Sequence, residues 1–175
     1  MTREVTPASR PGQNRSAPGG NSADAATRAS WLLCRAGTIL SALPIEHVIE
    51  IMRVLPLERL AGTPRCVIGV SVIRGAPVPV VDVGLIIGGA ITPSTRLIAI
   101  RAATRTIALA VDEVIGITGI AADAFGQLPP LLRDAATNTI AAIGALDSEL
   151  IIFLRAALLV PEDVLARLDA DGAAS

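Results

Sequence analysis

The apolar positions of this chain fall into short runs that turn residues separate. The runs are rich in Val, Ile and Leu, and Gly, Pro, Asp or Ser closes most of them. Short aliphatic runs with such boundaries are typical of β-strands rather than helices. The pattern therefore predicts an all-β (mostly β) domain of about nine or ten short strands, arranged as a barrel or a sandwich.

The first two runs predict a hairpin. Residues 31–35 and 38–43 flank Gly37, and glycine adopts the positive φ of tight turns at little cost. Further hairpins are predicted over residues 96–114 and 139–154, the latter turning at Asp147 and Ser148.

Two prolines mark the strand that follows Gly75. Pro77 and Pro79 are two residues apart, so both missing N–H groups face the same side of the strand. That side cannot form a regular ladder, and the strand is expected at a sheet edge, at a bulge, or paired on one side only.

Helical patterns are brief. The last of them begins at Pro161, which suits a first helical turn, and carries an apolar face. Short helices are predicted at residues 84–88, 128–135 and 161–168.

Composition divides the chain into three parts. Residues 1–30 are rich in Pro, Gly, Ser, Asn and Ala and lack an apolar period, which predicts a disordered leader. Residues 31–168 carry the aliphatic runs and form the predicted domain. Residues 169–175 are a small, polar tail.

The basic residues exclude several functions. All 15 basic residues are Arg and none is Lys. This excludes catalysis through a lysine Schiff base and nucleotide binding by a Walker lysine. The net charge is −1 and the aromatic content is 2%. The chain therefore lacks both a basic surface for phosphate groups and aromatic side chains on which bases could stack. Nucleic acid is not an expected partner.

No segment predicts entry into a membrane. A spanning helix needs about 18 or more consecutive apolar residues, and the runs here are shorter. Residues 1–30 lack the apolar stretch of a signal peptide. Cys34 and Cys66 lie inside apolar runs and are expected to be free thiols. A cytoplasmic protein without direct membrane insertion is predicted.

The residues give little support to catalysis. His47 is the only histidine, and the two cysteines are not spaced for zinc. His47 with Ser41 or Cys66 and an aspartate is a conceivable catalytic triad, since triads are defined by geometry and not by order. A partly exposed His47 on a strand, next to Glu46 or Glu50, is favoured because few titratable groups accompany it. We expect no catalytic residue, no metal site and no cofactor.

Arg74 has two interpretations of equal weight. It follows an aliphatic run and precedes a glycine turn, and an unpaired buried arginine is costly. It either pairs with Glu50, Asp82 or Asp112, or serves as a planar anchor at a protein interface.

Four segments of the chain form a recognisable pattern. In chain order these are PIEHVIEI, PRCVIGVSVIRGAPVPVVDV, IALAVDEV and IGALDSELIIFL. In these segments the chain resembles the CheW family of chemotaxis adaptors. The resemblance covers about residues 31–168. It implies two small five-stranded β-barrel subdomains around a shared apolar core, with a short C-terminal helix. Val72 and Ile73 stand where the family pattern has Asn and Leu.

The resemblance also implies a function without chemistry. Such a scaffold binds the regulatory domain of a CheA-type histidine kinase and the cytoplasmic tip of a chemoreceptor. Val48, Glu50 and Arg74 match positions at or near the receptor-facing groove. The motif residues expected to hold the fold are Gly69, Gly75, Asp82 and Asp112.

Other functions remain open. One is a divergent CheW-like module of a pathway other than chemotaxis. Another is a carrier of a small apolar ligand, in a barrel interior or in the cleft between the barrels. An esterase or metal hydrolase would depend on His47 alone.

Overall fold

Strands dominate the computed structural model, which describes residues 28–88, 90–91, 93–121, 125–126, 139–156 and 159. This confirms the mostly-β class. The strands are β1 Arg28–Ala36, β2 Ile39–Pro44, β3 Val48–Arg53, β4 Val67–Ile73, β5 Ala76–Asp82, β6 Arg96–Ala102, β7 Arg105–Val111, β8 Glu113–Ala121, β9 Phe125–Gly126, β10 Ile140–Leu146 and β11 Glu149–Leu154.

The strands form two sheets of related topology. The first sheet has the order β8-β1-β2-β11-β10-β9, and the second has the order β3-β6-β7-β5-β4. In each, two antiparallel hairpins meet through one parallel pair, β2 with β11 and β5 with β7. The predicted hairpin at Gly37 is confirmed, with φ of +61° at that glycine.

The expected barrels are open sheets. Within the described residues neither hydrogen-bonded ladder closes on itself, and the two-residue β9 adds a sixth strand to the first sheet. The sequence could not predict the open edges, because closure depends on pairing between strands that are distant along the chain.

Strand β5 is paired on one side along its proline half, which is one of the three predicted alternatives. β4 pairs with it throughout, whereas β7 pairs only with Val80, Val81 and Asp82. The N–H groups that Pro77 and Pro79 lack therefore coincide with the missing part of the β5–β7 ladder. The strand is second in its sheet and not at the edge.

Helix is scarce among the described residues. The helix predicted at residues 84–88 is α1, Val83–Ile87, and a 3₁₀ helix spans Ile45–His47. The helices predicted at residues 128–135 and 161–168 fall outside the described residues. So do residues 1–27 of the predicted leader and the tail, while β1 begins at Arg28.

Three apolar clusters build the interior. The largest lies between the sheets and takes residues from both, including Leu32, Leu43, Ile98 and Leu109. The first sheet holds a second cluster around Phe153, whose ring meets that of Trp31 edge-on at 5.0 Å. The second sheet encloses the third cluster, which consists of Ile73, Val78, Val80, Leu97, Ala108 and Ala110. The shared core implied by the resemblance is thus present.

The β10–β11 turn gives a stability prediction. Asp147 and Ser148 have φ of +49° and +69°, a conformation that favours glycine at the second position of a two-residue hairpin. We expect Ser148→Gly to raise the free energy of unfolding by about 1 kcal/mol, measured by urea titration.

A matched substitution separates turn strain from a general glycine effect. Ser30 is exposed in β1 and has no positive φ. Ser30→Gly should lower stability slightly. Equal destabilisation by both variants would contradict the strained turn.

Candidate protein-interaction surface

One edge of the second sheet lies beside a returning segment of the chain, and we call the region between them the seam: β3 and residues 54–58 form one side, and β4 with its turn at Arg74 forms the other. Beyond β3, the chain returns along the outer edge of β4, where Glu58 and Val70 exchange two hydrogen bonds: Glu58 N–H to Val70 O at 2.9 Å and Val70 N–H to Glu58 O at 2.8 Å. Next to this bridge, a Cβ on Gly69 would lie 2.7 Å from the carbonyl oxygen of Glu58. Glycine at this position allows the two chain segments to approach closely.

An ion pair forms a second link across the seam. The guanidinium of Arg74 donates from Nε to Glu50 Oε1 at 2.7 Å and from NH2 to Oε2 at 2.9 Å. Of the three carboxylates considered, Glu50 is the partner. The Arg74 side chain is nevertheless 72% exposed, so pairing leaves it accessible to a binding partner.

The backbone places this arginine in an uncommon conformation. Arg74 and Gly75 have φ of +51° and +80°, the positive values of a tight two-residue hairpin. Gly75 adopts this conformation readily, while Arg74 does so against the preference of its side chain. The hydrogen bonds with the Glu50 carboxylate raise the pKa of the guanidinium further above its ordinary value.

Val48 and Glu50, both expected at the interface, are placed differently. Val48 packs against the core between the sheets, whereas Glu50 reaches Arg74. The exposed aliphatic side chains of β3 are Ile49 and Ile51. Burial alternates regularly along β3, so Val48 and Glu50 share the less exposed face although a bulge lies between them.

Further apolar side chains are exposed near the seam. Val72 on β4 is 68% exposed, and Val54 follows β3 on the other side. The alternation along VIEIMR could have indicated Ile49 and Ile51, because residues on the face opposite to Val48 point outward. A separate exposed apolar pair, Ile115 and Ile117, lies on β8 of the first sheet.

Asp112 joins the two sheets. It follows β7 of the second sheet and precedes β8 of the first. Its Oδ2 accepts the N–H of Gly37 in the β1–β2 turn at 2.7 Å, and its own N–H donates to Arg35 O at 2.9 Å. These bonds fix the turn of the first sheet to the end of a strand of the second.

Asp82 caps helix α1 from the end of β5. Its side chain is 1% exposed, and Oδ1 accepts the N–H of Leu85 at 2.9 Å. Burial raises the pKa of the carboxyl, against the lowering effect of hydrogen bonds from Leu85 and Gly84, and the charge of Asp112 raises it further.

The residues considered for catalysis or metal binding are dispersed. His47 lies in the 3₁₀ helix, half-buried. Both cysteines are free thiols; Cys34 is buried, which raises its pKa to about 12. The described part of the chain contains no group of three or more His, Cys, Asp or Glu side chains able to hold a metal ion.

Known proteins share this architecture. The family model of the CheW-like domain matches residues 30–164. A chemotaxis protein CheW from Klebsiella aerogenes is 25% identical over 133 residues, which cover 71% of this chain and 80% of that protein. The crystal structure of the scaffolding protein TtCheW from Thermoanaerobacter tengcongensis matches with a TM-score of 0.65 at 21% identity, over 73% of this chain and 89% of that one.

Membrane crossing by a helix finds no support in the described residues, since none of their helices has the required length and apolar character.

The Asp82 cap gives a pH prediction. Because the folded state raises the carboxyl pKa, the contribution of this group to stability is present below its unfolded pKa and is lost as pH rises through the folded pKa. Asp82→Asn keeps an acceptor for Leu85 N–H and does not titrate. The stability of the Asp82→Asn variant relative to wild type should therefore increase across that interval, measured by urea unfolding from pH 3 to pH 7.

Asp82→Ala is the matched control. It removes the acceptor and also does not titrate, so the Asp82→Ala variant should be about 1 kcal/mol less stable than the Asp82→Asn variant at every pH, as expected for loss of a helix cap. A stability difference between the Asp82→Asn variant and wild type that stays constant with pH, or falls as pH rises, would exclude the raised pKa.

Proposed function

This chain belongs to the CheW-like domain family, and on that premise we propose that it is a non-catalytic adaptor that couples chemoreceptors to a CheA-type histidine kinase in the cytoplasm. The match over residues 30–164, which include the whole of both described sheets except two residues of β1, is the observation that carries the proposal. A role in chemotaxis follows at the level of the family. The proposal goes beyond the family in naming two binding partners, a chemoreceptor and a CheA-type histidine kinase.

The exposed surface supports binding to another protein. Ile49, Ile51 and Val72 present aliphatic groups near the seam, and the Glu50–Arg74 pair lies beside them. An apolar centre with polar groups at its rim is typical of protein interfaces, and arginine is enriched in them. A helical receptor tip could lay an apolar stripe on this surface.

The proposed site therefore includes Val48, Glu50 and Arg74, of which Val48 is half-buried against the core, together with the exposed Ile49 and Ile51. Gly69, Gly75, Asp82 and Asp112 are proposed as structural residues. Their support comes from the close approach at Gly69, the positive φ of Gly75, and the backbone N–H groups that the two carboxylates accept.

The first test measures binding of the full chain to a receptor tip fragment and to a kinase regulatory domain, by isothermal titration calorimetry at low salt. Binding to both is expected. If the chain bound neither partner, the adaptor proposal would be refuted.

Arg74→Ala tests the anchor. We expect roughly tenfold weaker binding to one partner, with a cooperative unfolding transition close to that of wild type, because exposed ion pairs contribute little to stability. Arg101→Ala, which removes an exposed arginine from β6 of the same sheet, is the control and should leave binding unchanged. A folded Arg74 variant that binds both partners like wild type would show that the pair is structural only.

Ile51→Ser tests the apolar surface. Loss of this aliphatic anchor, which is 44% exposed, should weaken binding to the receptor fragment by roughly tenfold and lower stability by only about 1 kcal/mol. Ile91→Ser, at an exposed isoleucine in the loop before β6, is the comparison and should bind normally. Equal binding by the Ile51 and Ile91 variants would move the receptor contact away from β3.

A further inference from the structure

The seam of the second sheet is joined at two places with an unpaired residue between them. The Glu58–Val70 bridge lies at one end and the Glu50–Arg74 ion pair at the other. Val72 lies between these two links and is 68% exposed. Its main chain has no hydrogen-bond partner across the seam within the described segments.

The register of the bridge shows where pairing should continue. In an antiparallel ladder the next hydrogen-bonded pair lies two residues along each strand. Beyond Glu58 and Val70, that pair is Pro56 and Val72. The N–H and C=O of Val72 point to the same side as those of Val70, because residues two apart in a strand share an orientation.

The residue opposite Val72 cannot complete this pair. Pro56 has no N–H to donate to Val72 O, and its ring disfavours the strand geometry that would let Val72 N–H reach its carbonyl. On the other side, Val72 and Pro77 of β5 are opposite each other as a non-hydrogen-bonded pair. The N–H and C=O of Val72 therefore face the seam, where Pro56 is the residue opposite.

We propose that Pro56 is a built-in stop that prevents closure of the second sheet along its seam. Beyond this stop, only the exposed Glu50–Arg74 ion pair holds the seam together, and exposed ion pairs are weak. This half of the seam therefore opens more readily than the half that contains the Glu58–Val70 bridge. Ile51 and Val72 lie on opposite sides of this seam. If the proposed function holds, opening of the seam changes the spacing of partner-binding side chains.

Amide hydrogen exchange on the isolated full chain tests the stop without any partner. In wild type, the Val72 amide should exchange roughly a hundredfold faster than the Val70 amide, which donates to Glu58 O. In Pro56→Ala, the new N–H completes the pair, and exchange at Val72 should slow by about tenfold.

Pro93→Ala is the matched control, since it replaces an exposed proline in the loop before β6 and adds the same freedom to the unfolded chain. It should leave exchange at Val72 unchanged. Equal protection of Val70 and Val72 in wild type would refute the gap, even if the Pro56 variant failed to fold. Rapid exchange at Val72 in a folded Pro56 variant, or slowing in the Pro93 variant as well, would refute the role of Pro56. Because no partner is present, these results are independent of whether the adaptor proposal succeeds.

Discussion

Burial of both faces of the central strands is the constraint on which this molecule depends. Leu32 of β1 packs between the sheets and Leu33 packs inside the first sheet, while Ile98 and Leu97 of β6 divide in the same way between the shared core and the second sheet. Strands buried on two sides must be apolar at nearly every position. Aliphatic residues fill this role in a chain with few aromatic rings, and the only buried charged side chain among the described residues, Asp82, lies at the end of a strand.

Two carboxylates lie where strands end, whereas the buried hydroxyl groups of Ser41 and Ser71 lie within β2 and β4. Asp112 and Asp82 each follow a buried valine, and each accepts a backbone N–H that a turn or a helix start would otherwise leave without a partner. Asp112 also lies at the crossing from one sheet to the other. A single carboxylate therefore sets how the β1–β2 hairpin sits against the second sheet, in addition to satisfying local donors.

Local features were predictable from the sequence, and pairing between distant strands was not. Gly37 identified its hairpin, and the segment at residues 84–88 identified α1, because a turn or a cap is encoded within a few residues. Pro77 and Pro79 limited β5 to three arrangements, but only the neighbouring β7 decides among them. Arg74 had three possible carboxylate partners for the same reason.

The sequence assigned Val48, Glu50 and Arg74 to one candidate surface, and contacts between distant segments decide how the three residues lie. Glu50 and Arg74 form an ion pair, as one of the two interpretations of Arg74 required. Val48 packs against the core. The alternation along β3 indicates Ile49 and Ile51 as the outward-facing residues, whereas Val48 was assigned to the surface from the resemblance alone. For the proposed adaptor role the result is a surface whose charges already satisfy each other. A partner that covers Ile51 and Val72 can gain from apolar burial without having to neutralise a lone charge, which suits binding that is specific and readily reversed.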